Sequence, residues 1–310
     1  ALEHEQLEFE IPAGDEDEKL IGFCLAALLK LLPLEQILQL LNAILQEYQV
    51  IIVSRQVSII SALVMGIIPL MRPYVWQGTF IPVVPASLEE CVHSPMPYIM
   101  GIQHLSEESL EILEEDVLIL DVDELSVLKC PSDMQPLPHH ASLYKLLEPL
   151  HAQLYRTTPA QRSACYLQPY SNTPEEIGIC NGILSVLRQY HKDIHHIILK
   201  GIRTIRQFDL SKPRHLTKLL VAIGDEISGA FLKKFLSTQH WHFFFDKIQH
   251  DNDDIFRFNR FKHVSVPSSD TQGSEEATNS SDENSAVYST ADELDTALKQ
   301  SGSQVIASIA

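Results

Sequence analysis

The chain has 310 residues, 45% of them hydrophobic, which is enough to bury a sizeable core and to form more than one folding unit. Its net charge of −18 is concentrated at the ends. Residues 1–20 and 268–310 each hold eight acidic side chains and one Lys, so each end carries −7 and the body between them only −4. An acidic chain with no evident basic stripe and no zinc-finger spacing is a poor ligand for phosphate backbones, so no nucleic-acid partner is expected.

Five cysteines (Cys24, Cys91, Cys130, Cys165, Cys180) lie far apart, without a CxxC pair. An odd, scattered set argues against a disulfide framework and fits a reducing cytosol. The most apolar stretch, 50–71, is interrupted by Ser54, Arg55, Gln56 and Pro69. A membrane span needs about 20 apolar residues with few polar breaks, so a buried strand followed by a buried helix is the better reading.

In chain order, residues 1–18 read as an acidic lead-in. Leu20 to Leu32 is apolar and helix-forming. Pro33 then marks the first turn of a second helix, with Glu35 favouring its start. Leu34, Ile37, Leu38, Leu41, Ile44, Leu45 and Tyr48 recur at three- and four-residue spacing, a core-facing stripe. The β-branched run Val50–Val53 predicts a strand, and 58–68 a helix. Thr79–Val84 predicts a strand broken at Pro82 and closed by Pro85. A short helix over 88–92 follows, with Ser87 as its cap. Tyr98–Ile102 is the next strand. Ser106 caps a helix ending near residue 115, and Val117–Val122 is the last clear strand. Strands alternating with helices indicate an α/β layer with a mostly parallel sheet, placed at 19–130.

Residues 131–140 form a Pro-rich connection. An all-helical unit then covers 141–255, with a stripe of Leu143, Leu146, Leu147, Leu150 and Leu154. Helices are expected over 177–190, extending through 191–202, then over 216–223 and 227–248. The remainder, 256–310, is acidic and Ser-rich and lacks the apolar content to fold, apart from a short helix over 290–298.

The stretch from Leu32 to Asp123 resembles the central module of DENN-domain proteins. The positions that carry the resemblance are Pro33, Glu35, Ser54, Pro73, Tyr74, Trp76, Gln77, Pro82, Pro85, Pro95, Pro97, Tyr98, Gly101, Asp121 and Asp123. The stretch FLKKFLSTQHWHFFFD, 231–246, is similar to the family's helical downstream module, with Phe231, Phe235 and Thr238 in register. The family usually carries an upstream longin-like module, of which at most the connecting tail at 1–18 is expected here.

This resemblance implies a guanine-nucleotide exchange factor for a Rab-type small GTPase, working in membrane traffic. The alternative is a non-catalytic module that docks a GTPase or a scaffold. It also implies a cytoplasmic protein recruited to vesicle or endosomal membranes through other parts of the protein, with no cofactor. Exchange needs no covalent chemistry, since a partner that binds opened switch segments more tightly must weaken nucleotide binding. The chain has no GxxxxGK[ST], GxGxxG or GxSxG motif.

The GTPase-binding candidates are Trp76 and Gln77, ahead of one strand, and Asp121, Asp123 and Glu124, after another. The bland readings are core packing for Trp76 and turn chemistry for the carboxylates. Pro33, Ser54, the four prolines 82, 85, 95 and 97, Tyr98, Gly101, Phe231, Phe235 and Thr238 read as structural. His191 and His195 lie at metal-ligand spacing. Residue 192 is Lys and no third ligand is evident, so a solvated polar face is expected there and no metal. His240, His242 and His250 are expected to be packing or surface residues.

Overall fold

The computed structural model describes residues 19–251, apart from 114–115, 169, 207 and 210–211 and the side chains of 249–251. The acidic lead-in and the segment beyond 251, including the expected helix over 290–298, lie outside the described residues. Four parallel strands form the centre: β1 (Gln49–Val53), β2 (Thr79–Val84), β3 (Tyr98–Ile102) and β4 (Val117–Asp121). A fifth strand, β5 (Ser126–Lys129), pairs antiparallel with β4. The order across the sheet is β2-β3-β1-β4-β5. The chain is α/β and then all-α, as the pattern of short buried strands and later helical stripes indicates.

Alternation along the strands sends Val50, Ile52, Ile99, Leu118 and Leu120 into the larger core, and Ile51, Val53, Tyr98, Met100, Ile102, Val117 and Ile119 into a smaller one. The larger core lies under helices. A π-helical turn, Ile21–Leu25, leads into α1 (Ala26–Leu31), and α2 (Leu34–Leu45) and α3 (Val57–Leu70) follow. Leu32 is extended, as a residue before proline must be, and Pro33 occupies the N-cap of α2 instead of its first turn. The smaller core is covered by a 3-10 segment, Ala86–His93, and by α4 (Glu107–Ile112). Ser87 caps nothing, because Pro85 holds the N-cap position with no side-chain bond. Ser106 does cap α4, accepting from the N–H of Ser109, and the helix stops at Ile112.

The two units share one core. Helices α5 (His140–Leu154), α6 (Pro159–Leu167), α7 (Pro174–Arg203), α8 (Pro213–Ile223), α9 (Gly229–Leu236) and α10 (Gln239–Asp251) pack onto the α1–α3 side, and the larger core runs without a break from Ile21 to Phe245. The expected helix over 227–248 is two helices, broken at Ser237–Thr238. Glu47 accepts the N–H groups of Gln239 and His240 there and starts α10 anew.

His191 and His195 do not line a solvated face. Both are buried against Tyr74, whose ring also meets Phe235 at 5.4 Å and His240 at 5.3 Å. Nε2 of His191 pairs with the carbonyl of Leu70 at 3.2 Å, and Nε2 of His195 pairs with the Tyr74 hydroxyl. His240 is buried and His242 exposed, while the side chain of His250 is outside the described set. Among the described residues no group of three or more His, Cys, Asp or Glu is placed to hold a metal. No single described helix is long and apolar enough to cross a membrane.

The signature glycine is explained by close packing. A Cβ at Gly101 would lie 2.0 Å from Cγ2 of Ile60 on α3 and 2.4 Å from the carbonyl of Pro82 on β2. Pro82 fits because β2 is an edge strand and its register shifts between Ile81 and Val84. Pro97 supplies its carbonyl to the N–H of Thr79 at 3.1 Å, which starts β2 against β3.

Candidate functional site

Parallel strands put β1 and β4 side by side, so the segments leaving their carboxyl ends meet, and this is where open α/β sheets place ligand sites. Ser54 and Arg55 leave β1. Residues 121–125 turn from β4 into β5, with Leu125 at φ +53°. Oδ1 of Asp121 accepts the N–H of Asp123 at 2.9 Å and of Glu124 at 3.0 Å, which closes that turn.

The Asp123 carboxylate is the hub. Oδ1 accepts the Ser54 hydroxyl at 2.9 Å and the Tyr166 hydroxyl at 2.6 Å, and Oδ2 accepts the N–H of Arg55 at 2.7 Å. Burial pushes this carboxyl up. The Tyr166 hydroxyl, the Arg55 N–H, the Ser54 hydroxyl and the Arg55 charge outweigh that and hold it below the usual Asp range.

Tyr166 comes from α6. That helix starts on a capping box, Thr158 with Gln161, and has Pro159 in its first turn. It is pinned over the sheet by Arg162, which donates to the carbonyls of Leu31 at 2.8 Å and Val122 at 2.7 Å. Between α6 and the two strand ends lies a cleft of about 660 Å³. Its floor includes Asp123, Arg162 and Tyr166, and its rim Arg55, Leu125 and Leu167.

Beside that hub sits an exposed surface. The Arg55 and Glu124 side chains are 80% and 64% exposed and pair at 3.1 Å, and Leu167 is 82% exposed. The rim therefore offers both charges and an apolar knob, while the floor is internally satisfied. Opposite charges around an exposed apolar side chain suit recognition of a protein segment.

The other candidates are elsewhere. Trp76 and Gln77 precede β2, at the opposite end of the parallel sheet and three strands across from β4, roughly 20 Å away by standard strand spacing. Trp76 is half-buried against the core and donates its indole N–H to the carbonyl of Thr79 at 3.1 Å. Gln77 is exposed and bonds to the carbonyl of Val75. The structure thus joins Asp121, Asp123 and Glu124 and leaves Trp76 and Gln77 apart. Ser54 is part of the hub. Phe231 and Phe235 stack at 5.8 Å within the shared core, and the Thr238 hydroxyl bonds the carbonyl of Phe235 at the α9–α10 break. Arg55, Arg162, Tyr166 and Leu167 were not singled out from the sequence. Thr158-Pro159-Ala160-Gln161 was the available signal for the helix that brings three of them.

Residues 2–125 match the DENN (AEX-3) domain family model. Among curated proteins, the chain is 32% identical over 133 residues to human DENN domain-containing protein 1A, covering 42% of this chain and 12% of that protein. It is 32% identical over 148 residues to human DENN domain-containing protein 2C, covering 44% and 16%. It is 28% identical over 123 residues to elicitor of plant defense protein 1 from Verticillium dahliae, covering 39% and 11%. The matched stretch contains β1 to β4 and the turn that carries Asp121, Asp123 and Glu124, so this part of the chain is similar to a DENN domain. The chain spans between 11% and 16% of the length of these relatives.

Proposed function

We propose that this chain belongs to a guanine-nucleotide exchange factor for a Rab-type small GTPase, acting from the cytoplasm on vesicle or endosomal membranes. The DENN-family match over 2–125 carries the reading. The geometry suits it. A GTPase holds its nucleotide through segments that open and close, and a protein surface that binds the open form more tightly must loosen the nucleotide. Arg55 and Leu167 on the rim, with Glu124 paired to Arg55 beside it, supply opposite charges and an exposed apolar side chain, the composition of a protein-docking surface.

Docking without exchange is the second reading, and one observation favours it. Asp123, a candidate contact for a switch lysine, already accepts three donors of its own chain. Release of labelled GDP from a panel of Rab-type GTPases separates the two. Acceleration for any member supports exchange, stable binding without acceleration selects docking, and the absence of both removes each reading.

A further inference from the structure

The acidic character of the chain conceals a local reversal. Residues 188–218 carry eight of the 23 basic residues and only two acids, a local +6 in a chain of −18. The fold concentrates part of this into the basic stripe that the sequence reading did not find. Lys192, His196, Lys200 and Arg203 fall at helical spacing on one face of α7, with Lys192, Lys200 and Arg203 exposed. His196 feels all three cations. Burial lowers its pKa first, and Arg203, Lys200 and Lys192 lower it further. The opposite face of α7 is occupied, because a Cβ at Gly201 would press on Leu219 and Ile223 of α8.

We propose that the acidic C-terminal segment of this same chain, from Asp270 onward, docks on the Lys192–Lys200–Arg203 stripe. Charge complementarity and the point of departure both support it. Residues 268–310 carry −7. Helix α10 touches the C-terminal half of α7, and the segment just beyond it, through two ring contacts near its own middle. The Phe244 ring stacks on His195 at 4.2 Å, and the Phe245 ring meets Phe208, beyond the end of α7, at 6.2 Å. The last described residue, Asp251, lies six residues, about 9 Å of helix, beyond Phe245. The 18 residues from 252 to 269 can reach up to about 60 Å, more than the distance requires.

The equally acidic lead-in starts from a different point of the fold. It joins the fold near Gly22, whose carbonyl accepts from Asn172, just ahead of the first turn of α7. A 30-residue helix is about 45 Å long, so the C-terminal segment starts from the half of α7 that carries the stripe and the lead-in from its other end.

Zero-length carbodiimide cross-linking of the full chain, read by mass spectrometry, tests this. At low salt, acids of 270–295 should link to Lys192 and Lys200 about tenfold more often than to Lys145, Lys218 or Lys233, because a tethered segment reaches a high effective concentration. At about 0.5 M salt, where the Debye length is roughly 4 Å, those links should disappear. The exposed Lys212–Asp209 pair, 3.1 Å apart, should still link. Mixing isotope-labelled and unlabelled chain should show the links to be within one molecule. Links spread evenly over surface lysines would overturn the proposal, as would links from residues 1–18 or from a second copy. Vesicles containing phosphatidylserine that bind the chain equally well with the tail acids intact or changed to amides, without any tail cross-link, would assign the stripe to a lipid surface and also overturn it.

Discussion

The Tyr166 hydroxyl donates to Oδ1 of Asp123 at 2.6 Å, a bond that joins the carboxyl edge of the sheet to a helix 43 residues further along. It turns the central carboxylate of the candidate site into a structural tie. Asp123→Ala should therefore lower stability by about 2 kcal/mol, because the Ser54 and Tyr166 hydroxyls and the Arg55 N–H lose a charged acceptor together. Chemical denaturation of Asp123→Ala and Tyr166→Phe measures this, and the second change should cost less. The tie also weakens in acid. A carboxyl held below its unfolded range contributes stability above that range and loses it as pH falls through the lowered value.

Gly101 sits where β3 crosses α3. Gly101→Ala should cost about 3 kcal/mol, because the new methyl would meet the Pro82 carbonyl, which is backbone and cannot swing away. Thermal melting reads the loss. A melting temperature equal to that of the parent chain would contradict the packing described.

Burial of the histidines around Tyr74 makes the joint between the two halves acid-sensitive. Burial pushes His191 down to about 4 from its ordinary 6.5, and His195 is lowered as well. The unfolded chain then binds protons between pH 6.5 and 4 that the folded chain refuses, so stability should fall on acidification through that window. The His191 share should be on the order of 2 kcal/mol. Asp193 works the other way. Burial raises its carboxyl to about 6, and its Oδ2 has no partner. Stability is therefore lost as pH rises from about 3.8 to about 6, and the full loss persists above 6. Asp193→Asn should stabilise by about 1 kcal/mol at pH 7.5 and by nothing at pH 4. Denaturation midpoints at several pH values check both signs.

Lys30 is buried on α1 and donates to Glu176 at 2.7 Å and Asn172 at 2.8 Å, and Arg156 approaches the other Glu176 oxygen. Lys30→Ala should cost about 3 kcal/mol by leaving buried acceptors short of a donor, whereas Lys30→Met, which keeps the packing, should cost less. Equal losses would show that the cavity, not the charge, dominates.

The sheet was legible because β1 is a β-branched run and β3 and β4 are short apolar runs, bounded by Ser, Pro or Asp, and the carboxylates at the end of β4 could be placed with them. β5 was missed because Ser126–Lys129 is only four residues long and depends on the left-handed Leu125 turn and on pairing with β4. The histidine pair was misread because what buries it, Tyr74, lies 121 residues away from His195. The break before α10 was hidden for the same reason, since its cap comes from Glu47. The cleft was invisible because Tyr166 and Arg162 reach the sheet only through tertiary packing of α6. Local pattern reports periodicity and breakers, and long-range partners leave no mark in it.

The proposed docking surface is tested most directly by the rate of GDP release across a panel of Rab-type GTPases, measured with the intact chain and with Arg55→Ala. The guanidinium is 80% exposed and its ion pair with Glu124 adds little stability, while the backbone N–H that holds Asp123 is retained. Stimulated release should fall by about tenfold or more, with the melting temperature of the chain within about 2 °C of the parent. An unchanged rate would contradict the placement of the GTPase on this rim, and no stimulation by the intact chain across the whole panel would contradict the exchange function itself.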